Sequence, residues 1–226
     1  MNFSFKRFRF PKEIIVYAVY LKCRFALSYR DIRELLAHKG VHLNHGTVNR
    51  WVLRFGPMLE MEFRKRKKFV GKSWRLDEMF LKIKGEKRYL YRAVDKTGNT
   101  IDFVLTAHND RRAAYRYLKK AVRRQGLPLK VTIDGSRANR AGVSRFVGER
   151  SPGIEIRTSK YLNNRIEGDH RFIRKIIRPM LGFKSFSSAA KTIAGIEVVH
   201  MIRKGQMATQ GYCPLRIFEQ FRELFD

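Results

Sequence analysis

Acidic side chains are scarce in this chain: 20 Asp and Glu stand against 49 Lys and Arg, so its 226 residues carry a formal charge of +29. Cysteine is scarcer still. Only Cys23 and Cys213 are present, far apart in sequence, which excludes a disulfide-built scaffold and fits free, inert thiols in a reducing cytosol. No apolar run approaches the roughly 20 residues of a membrane-crossing helix. The opening MNFSFKRFRFPKE has basic residues but neither the continuous apolar stretch nor the small-residue cleavage site of a secretory signal. A cytoplasmic location is therefore expected, and no long amphipathic basic helix suggests a membrane surface. There is no glycine-rich phosphate loop to indicate an ATP requirement. Ser136 lacks a nucleophile elbow, and His38, His42 and His45 lack the cysteine or carboxylate partners of a zinc spacing. Internal repeats and low-complexity segments are missing as well.

What is present describes a folded protein: 44% hydrophobic residues, with 17 Phe, 9 Tyr and 2 Trp. A small domain stays soluble with a net charge of about 2–8. An excess as large as +29 repels itself in the compact state and calls for a polyanion. Nucleic acid fits best, because neutralising phosphates releases counterions and supplies sequence-independent affinity.

The first 60 residues read as helices. Pro11 suits a first helical turn before the apolar stripe of Ile14, Ile15, Ala18, Val19, Leu21 and Cys23. Ser28 offers an N-cap for a helix that stops near Gly40, and Asn44 can cap another carrying Val48, Trp51, Val52 and Phe55. This is the outline of a helix-turn-helix, whose second helix presents its N-terminal polar residues to base edges. Those are His45, Thr47, Asn49, Arg50 and, further along, Arg54. A basic stretch, residues 61–73, reads as a linker able to track phosphates. From Trp74 the period becomes that of strands: a first strand through Ile83, KRYLYRAVD, the hairpin signal DKTGN, then TIDFVLTA. A helix in NDRRAAYRYLKKAVRR, a buried strand LKVTID, a helix RAGVSRFVG, a strand IEIRTS and the helices IEGDHRFIRKII and SAAKTIAGIEVVHMIRKG follow. The pattern predicts an α/β mixed sheet with flanking helices behind a small all-α domain.

Three acids stand out within this basic chain. Asp77 lies on the inward side of the first strand, where an unpartnered carboxylate is costly. Asp134 ends a buried strand, at the sheet edge where sites gather in open α/β folds. Glu167 is placed at the opening of a helix, with Arg171, Arg174 and Arg178 following at three- and four-residue steps and Lys175 beside them. Carboxylates from separate elements suit hard divalent cations, and two such ions about 3.5–4 Å apart can organise phosphodiester cleavage or transfer. Spacing alone leaves rivals open: Glu78, Asp95, Asp102 and Asp169. It also leaves open that Asp134 is a helix cap and Glu167 a first-turn acid favoured by the helix dipole.

The segments WRLDEMFLKIKGEKRYLYRAVDKTGNTIDF and YLNNRIEGDHRFIRKIIRPMLGFKSFSSAAKTIAGIEVVHMIRKGQ, with SYRDIRELLAHKGVHLNHGTVNRWV before them, closely resemble DDE transposases of the insertion-sequence-six family over nearly the whole chain. The resemblance implies a ribonuclease H-like catalytic domain behind the helix-turn-helix, with Asp77, Asp134 and Glu167 as ligands of two Mg²⁺ or Mn²⁺ ions per active site. The family's basic residue seven positions after the glutamate falls on Arg174. The implied partners are double-stranded DNA, as terminal inverted repeats and target, and further copies of the chain in a homo-oligomeric synaptic complex, with nucleoid association through DNA. The expected divisions are 1–60 helix-turn-helix, 61–73 linker, 74–205 catalytic domain and 206–226 helical tail. A DNA-binding protein with a degenerate second domain and a ribonuclease H-like structure-specific nuclease are the alternatives. Positions 135–166 are two residues fewer than the family usually has between its last two acids. Gly135 stands where relatives often carry lysine.

Overall fold

The fold is known from a computed structural model that describes residues 3–208 and 216–226. Its internal contacts define two compact units, Phe69–Phe172 and one assembled from both ends of the chain, Met1–Lys68 with Ile173–Asp226. Cys213 lies outside the described residues.

The first of these is built on a five-stranded sheet in the order β3-β2-β1-β4-β5. β1 (Ser73–Ile83), β2 (Glu86–Val94) and β3 (Thr100–Thr106) form an antiparallel meander, and β4 (Lys130–Ile133) and β5 (Glu155–Thr158) run parallel to β1. The β2–β3 turn is organised by Asp95. Its carboxylate accepts from the backbone N–H groups of Thr97 and Asn99, and from that of Gly71 just ahead of β1. α4 (Arg111–Gln125) and α5 (Arg137–Arg150) cover one face, where Trp74, Leu76, Tyr91, Val131 and Ile133 meet Tyr117, Leu118 and Val143 in the core. Strand alternation sends Asp77 to the opposite face, together with its cross-strand partner Arg92. There Arg92 pairs with Asp169 at 2.7 Å, bringing in α6 (Lys160–Ile177). Meander, crossover helices and strand order are those of the ribonuclease H-like fold.

The other unit is helical: α1 (Lys12–Arg24), α2 (Tyr29–Ala37), α3 (His45–Lys65), α7 (Phe186–Arg203) and α8 (Ile217–Glu223). Ser28 and Asp31 form a capping box at the start of α2, and Asn44 Oδ1 accepts from the Gly46 N–H at the start of α3, as the sequence anticipated. α3 and α7 approach closely enough to require glycine. A Cβ on Gly56 would lie 2.2 Å from the Lys191 carbonyl oxygen, and one on Gly195 would lie 2.7 Å from Cys23 Sγ. Cys23 is fully buried, and burial pushes its thiol up to about 12, leaving it unreactive. Phe5, Phe8 and Phe225 gather round Phe55, with ring centroids 5.3–5.8 Å apart, tying both chain ends to α3.

Three expectations differ from these observations. The stretch 61–73 is not all linker: α3 continues through Lys65, held by Glu60–Arg64 and Glu62–Lys65 pairs at helical spacing. α6 begins at Lys160 rather than near Ile166, because Ser159 Oγ accepts from the Leu162 N–H and caps it early. α7, expected with the sheet, groups with α1 and α3 because Gly56 of α3 admits its backbone and its own Gly195 leaves room for Cys23 Sγ of α1.

Gly56→Ala should destabilise the chain by about 1–3 kcal/mol through backbone overpacking. Gly148→Ala, on α5 with nothing within 4 Å of the new Cβ, should be neutral or stabilising by up to about 1 kcal/mol. Urea unfolding of the two variants checks the contrast, and equal midpoints would contradict the close approach.

Candidate functional site

β1 and β4 pair in parallel, with Trp74 beside Val131 and Arg75 beside Thr132. Two residues further along the same register bring Asp77 next to Asp134, just past the end of β4. Asp134 occupies the connection to α5, where its Oδ1 accepts from the Ser136 N–H at 3.0 Å. Ser136, not Asp134, is the N-cap of α5, so the capping role does not explain Asp134. Gly135 between them has φ +94°, a left-handed conformation that glycine adopts freely. α5 joins β5 through only four residues, 151–154, consistent with the shortened spacing between the two acids. Glu167 does not open its helix: it is the eighth residue of α6, so a first-turn dipole effect does not explain it either. It lies one turn from His170 on the same helix, and His170 Nδ1 stands 3.6 Å from Asp77 Oδ2. His170 was missed in the sequence, though its place three residues after Glu167 was a readable helical spacing.

The electrostatics of Asp77 tie the three acids together. Its side chain is 13% exposed. Burial first, then Glu78, Asp134 and Glu167 in turn, raise its carboxyl to about 7. The rival acids each have other business. Asp95 holds the β2–β3 turn. Asp102 is buried, with Lys120 and Arg124 at 3.7 and 3.3 Å. Asp169 pairs with buried Arg92, and Glu78 accepts from Asn109 and Asn139. Glu167 makes no ion pair with a described residue. The three acids are neighbours and not a closed cage, for among the described residues no three His, Cys, Asp or Glu side chains are close enough to hold one ion. Like charges in a partly buried site keep apart unless a cation lies between them. An all-oxygen set whose buried member resists ionisation beside other carboxylates fits hard cations such as Mg²⁺ or Mn²⁺.

Basic residues continue along α6. Arg171 and Arg174 lie four and seven residues beyond Glu167 on the same helix and are exposed, as is Lys175. Arg178 falls outside the helical stripe, because it heads a 3-10 turn with Pro179.

In the helical unit, the polar end of α3 borders a cleft of about 810 Å³. Thr47 Oγ1 accepts from Arg50 Nη2 at 3.1 Å, and Arg54 lies over the Phe8 ring at 4.9 Å. His45 and Asn49 line a second cleft at the same helix end. Arg50 and Arg54 are joined along the first cleft by Arg7, Arg9 and Arg33, which sequence reasoning did not single out. For Arg7 and Arg9 the signal was the alternation in KRFRF: Phe8 packs on Phe55 and Phe10 on Trp51, leaving the alternating arginines at the surface. No described helix is long and apolar enough to cross a membrane.

Residues 71–206 match the sequence family described as a DDE domain. The transposase for insertion sequence element IS257 in transposon Tn4003 of Staphylococcus aureus is 38% identical over 206 residues, covering 90% of both chains. The transposase for insertion sequence-like element IS431mec of Staphylococcus aureus has the same identity and coverage. Among solved structures, the HTLV-2 integrase catalytic core domain in complex with magnesium (dimeric form) aligns with a TM-score of 0.45 at 18% identity, over 68% of this chain and 99% of that one. The catalytic core domain of BIV integrase aligns at 0.44 and 16%, over 68% and 97%.

Because the folded state raises the Asp77 pKa, that carboxyl stabilises the fold fully only below its unfolded value near 4. The contribution is lost as pH climbs towards 7. In metal-free protein, Asp77→Asn should therefore be more stable than the parent at pH 8 by a few kcal/mol, with the gap closing towards pH 4. Urea unfolding in EDTA across this range checks it, and a gap independent of pH would show that Asp77 is not shifted.

Proposed function

The chain belongs to the DDE transposases of the insertion-sequence-six family, and from that membership we propose how its residues divide the work. The protein is a polynucleotidyl transferase that cleaves DNA at the ends of its insertion sequence and joins them to target DNA. Asp77, Asp134 and Glu167 are the cation-holding set. The observation that carries this is the parallel β1–β4 register leading buried Asp77 towards Asp134, with the Asp77 carboxyl raised by burial, by Glu78 and by both other acids, while Glu78 itself is held by Asn109 and Asn139. Two divalent cations, Mg²⁺ or Mn²⁺, would supply charge neutralisation and Lewis acidity at the scissile phosphate.

The chain's own residues do the rest. Asp77 is anchored in the sheet and defines the fixed corner of the site. Asp134 enters from the loop after β4, and Glu167 from a helix on the Asp77 face, so three elements converge on one phosphodiester. Arg174, two helical turns beyond Glu167, pairs with the DNA backbone near the scissile bond, and Arg171 and Lys175 extend that contact. Water attacks the phosphodiester at the element's end, and the P–O bond to the 3′ oxygen breaks to leave a 3′-hydroxyl. That hydroxyl then attacks a target phosphodiester in line. One P–O bond forms as another breaks, so no energy source is needed.

The helical unit supplies recognition. His45, Thr47, Asn49, Arg50 and Arg54 at the polar end of α3 read the terminal inverted repeats, and the arginines of the adjoining cleft neutralise phosphates. Two such ends must be held together, so the working form is a homo-oligomer, acting on DNA in the cytoplasm and associated with the nucleoid through it.

Asp77→Asn, Asp134→Asn and Glu167→Gln should each lower Mg²⁺-dependent strand transfer by at least about 10³-fold, while gel-shift binding to inverted-repeat DNA persists. Arg50→Ala should do the reverse, weakening repeat binding by about 1–3 kcal/mol. Wild-type joining by any of the three acid variants would reject the assignment. Loss of DNA binding in all of them would instead indicate a folding defect.

A further inference from the structure

Glu78 follows Asp77 in sequence, yet strand alternation turns it to the other face, towards α4 and α5, beside its cross-strand partner Tyr91. Both of its carboxylate oxygens are engaged. Asn109 Nδ2 donates to Oε1 at 2.6 Å and Asn139 Nδ2 to Oε2 at 2.7 Å, while Asn109 Oδ1 accepts from the Tyr91 hydroxyl at 2.6 Å. The Asn139 amide nitrogen also reaches Asp134 Oδ1, at 3.4 Å. Asn139 is fully buried at the start of α5, and its own Oδ1 has no hydrogen-bond partner.

A buried amide carbonyl with nothing to accept from is unfavourable, and an apolar side chain would avoid the cost. What only the amide provides at this position is two N–H groups between two carboxylates. Asp134 needs such a guide. It is exposed on a loop, next to a glycine, and among the described residues its one other hydrogen bond is accepted from the Ser136 N–H. Glu78, by contrast, is clamped from both sides within the sheet unit.

We propose that Asn139 is a positioning residue for Asp134, using Glu78 as its fixed post. One N–H is anchored on Glu78 and the other steers the Asp134 carboxylate into its cation-holding orientation. The same clamp keeps Glu78 out of the cation set, so the three acids of β1 and the loop after β4 contribute one defined pair, Asp77 and Asp134, and not competing ones. The inference rests on the reading of Asp134 as a cation ligand. It matches a general feature of metal sites, in which partners behind the ligands set their orientation and change affinity by about 10–100-fold when removed.

Mn²⁺ binding to the full chain, followed by electron paramagnetic resonance, tests it with Asn139→Leu and Glu78→Gln. Circular dichroism serves as the folding check. Both variants should bind Mn²⁺ about 10–100-fold more weakly than the parent. The Mg²⁺ concentration for half-maximal strand transfer should rise in parallel, with the maximal rate recovering at saturating Mg²⁺. Glu78→Gln turns an amide towards one of the asparagines and releases the post, so the double variant should bind no more weakly than the singles. If Asn139→Leu fails to fold, Glu78→Gln decides, since it leaves the α5 core untouched. Parent-like Mn²⁺ affinity in a folded variant, together with lost binding in Asp134→Asn, overturns this inference alone. Parent-like affinity in Asp134→Asn overturns the underlying reading of the site.

Discussion

Carboxylates that repel one another at the edge of a sheet are the constraint on which this protein turns. The parallel pairing of β1 with β4, which sets Arg75 beside Thr132, leads Asp77 towards Asp134 two residues on, and the charge of Glu167 on α6 also reaches Asp77. Among the described residues no cation neutralises that arrangement in full, and burial together with the neighbouring acids raises the Asp77 carboxyl. A site that is electrostatically unsatisfied in this way is complementary to a small hard cation and to the phosphate such a cation binds. The core of Trp74, Leu76, Tyr91, Val131 and Ile133 against α4 and α5 is what holds the two strand ends together against the repulsion.

The other acids matter by being occupied. Asp95 organises a turn, Asp102 answers two cations of α4, and Asp169 neutralises buried Arg92. In a chain with 20 acids and 49 bases, cations are plentiful, so an acid that pairs with no described cation is informative. The bases behave in the opposite way. Many stay exposed, in a run on α6 and around the arginine-lined cleft of the helical unit, where a polyanion can reach them.

The family-matched segment, residues 71–206, and the compact units do not share boundaries. α7 lies inside the matched segment but packs with α1 and α3. The reason is local: Gly56 lets the α3 and α7 backbones approach where any side chain would collide, and Gly195 leaves room for Cys23 Sγ of α1. A segment recognisable as one stretch of sequence is thus divided between two packing units, and α6 runs across their boundary.

Much of this was legible in the residues. Period-two alternation from Trp74, the DKTGN turn, the Ser28 and Asn44 caps and the excess of positive charge follow from local chemistry that neighbours along the chain express by themselves. The long motifs identified the family, and with it the acids to watch. Local chemistry does not determine which distant groups meet. That Glu78 faces two asparagines while Asp77 faces α6, that Glu167 sits in mid-helix, that Arg7, Arg9 and Arg33 join the α3 cleft, and that α7 belongs with the N-terminal helices all depend on contacts between residues far apart in the chain. Such contacts are selected by packing and by the competition of many charges for few partners, and only the folded chain resolves that competition.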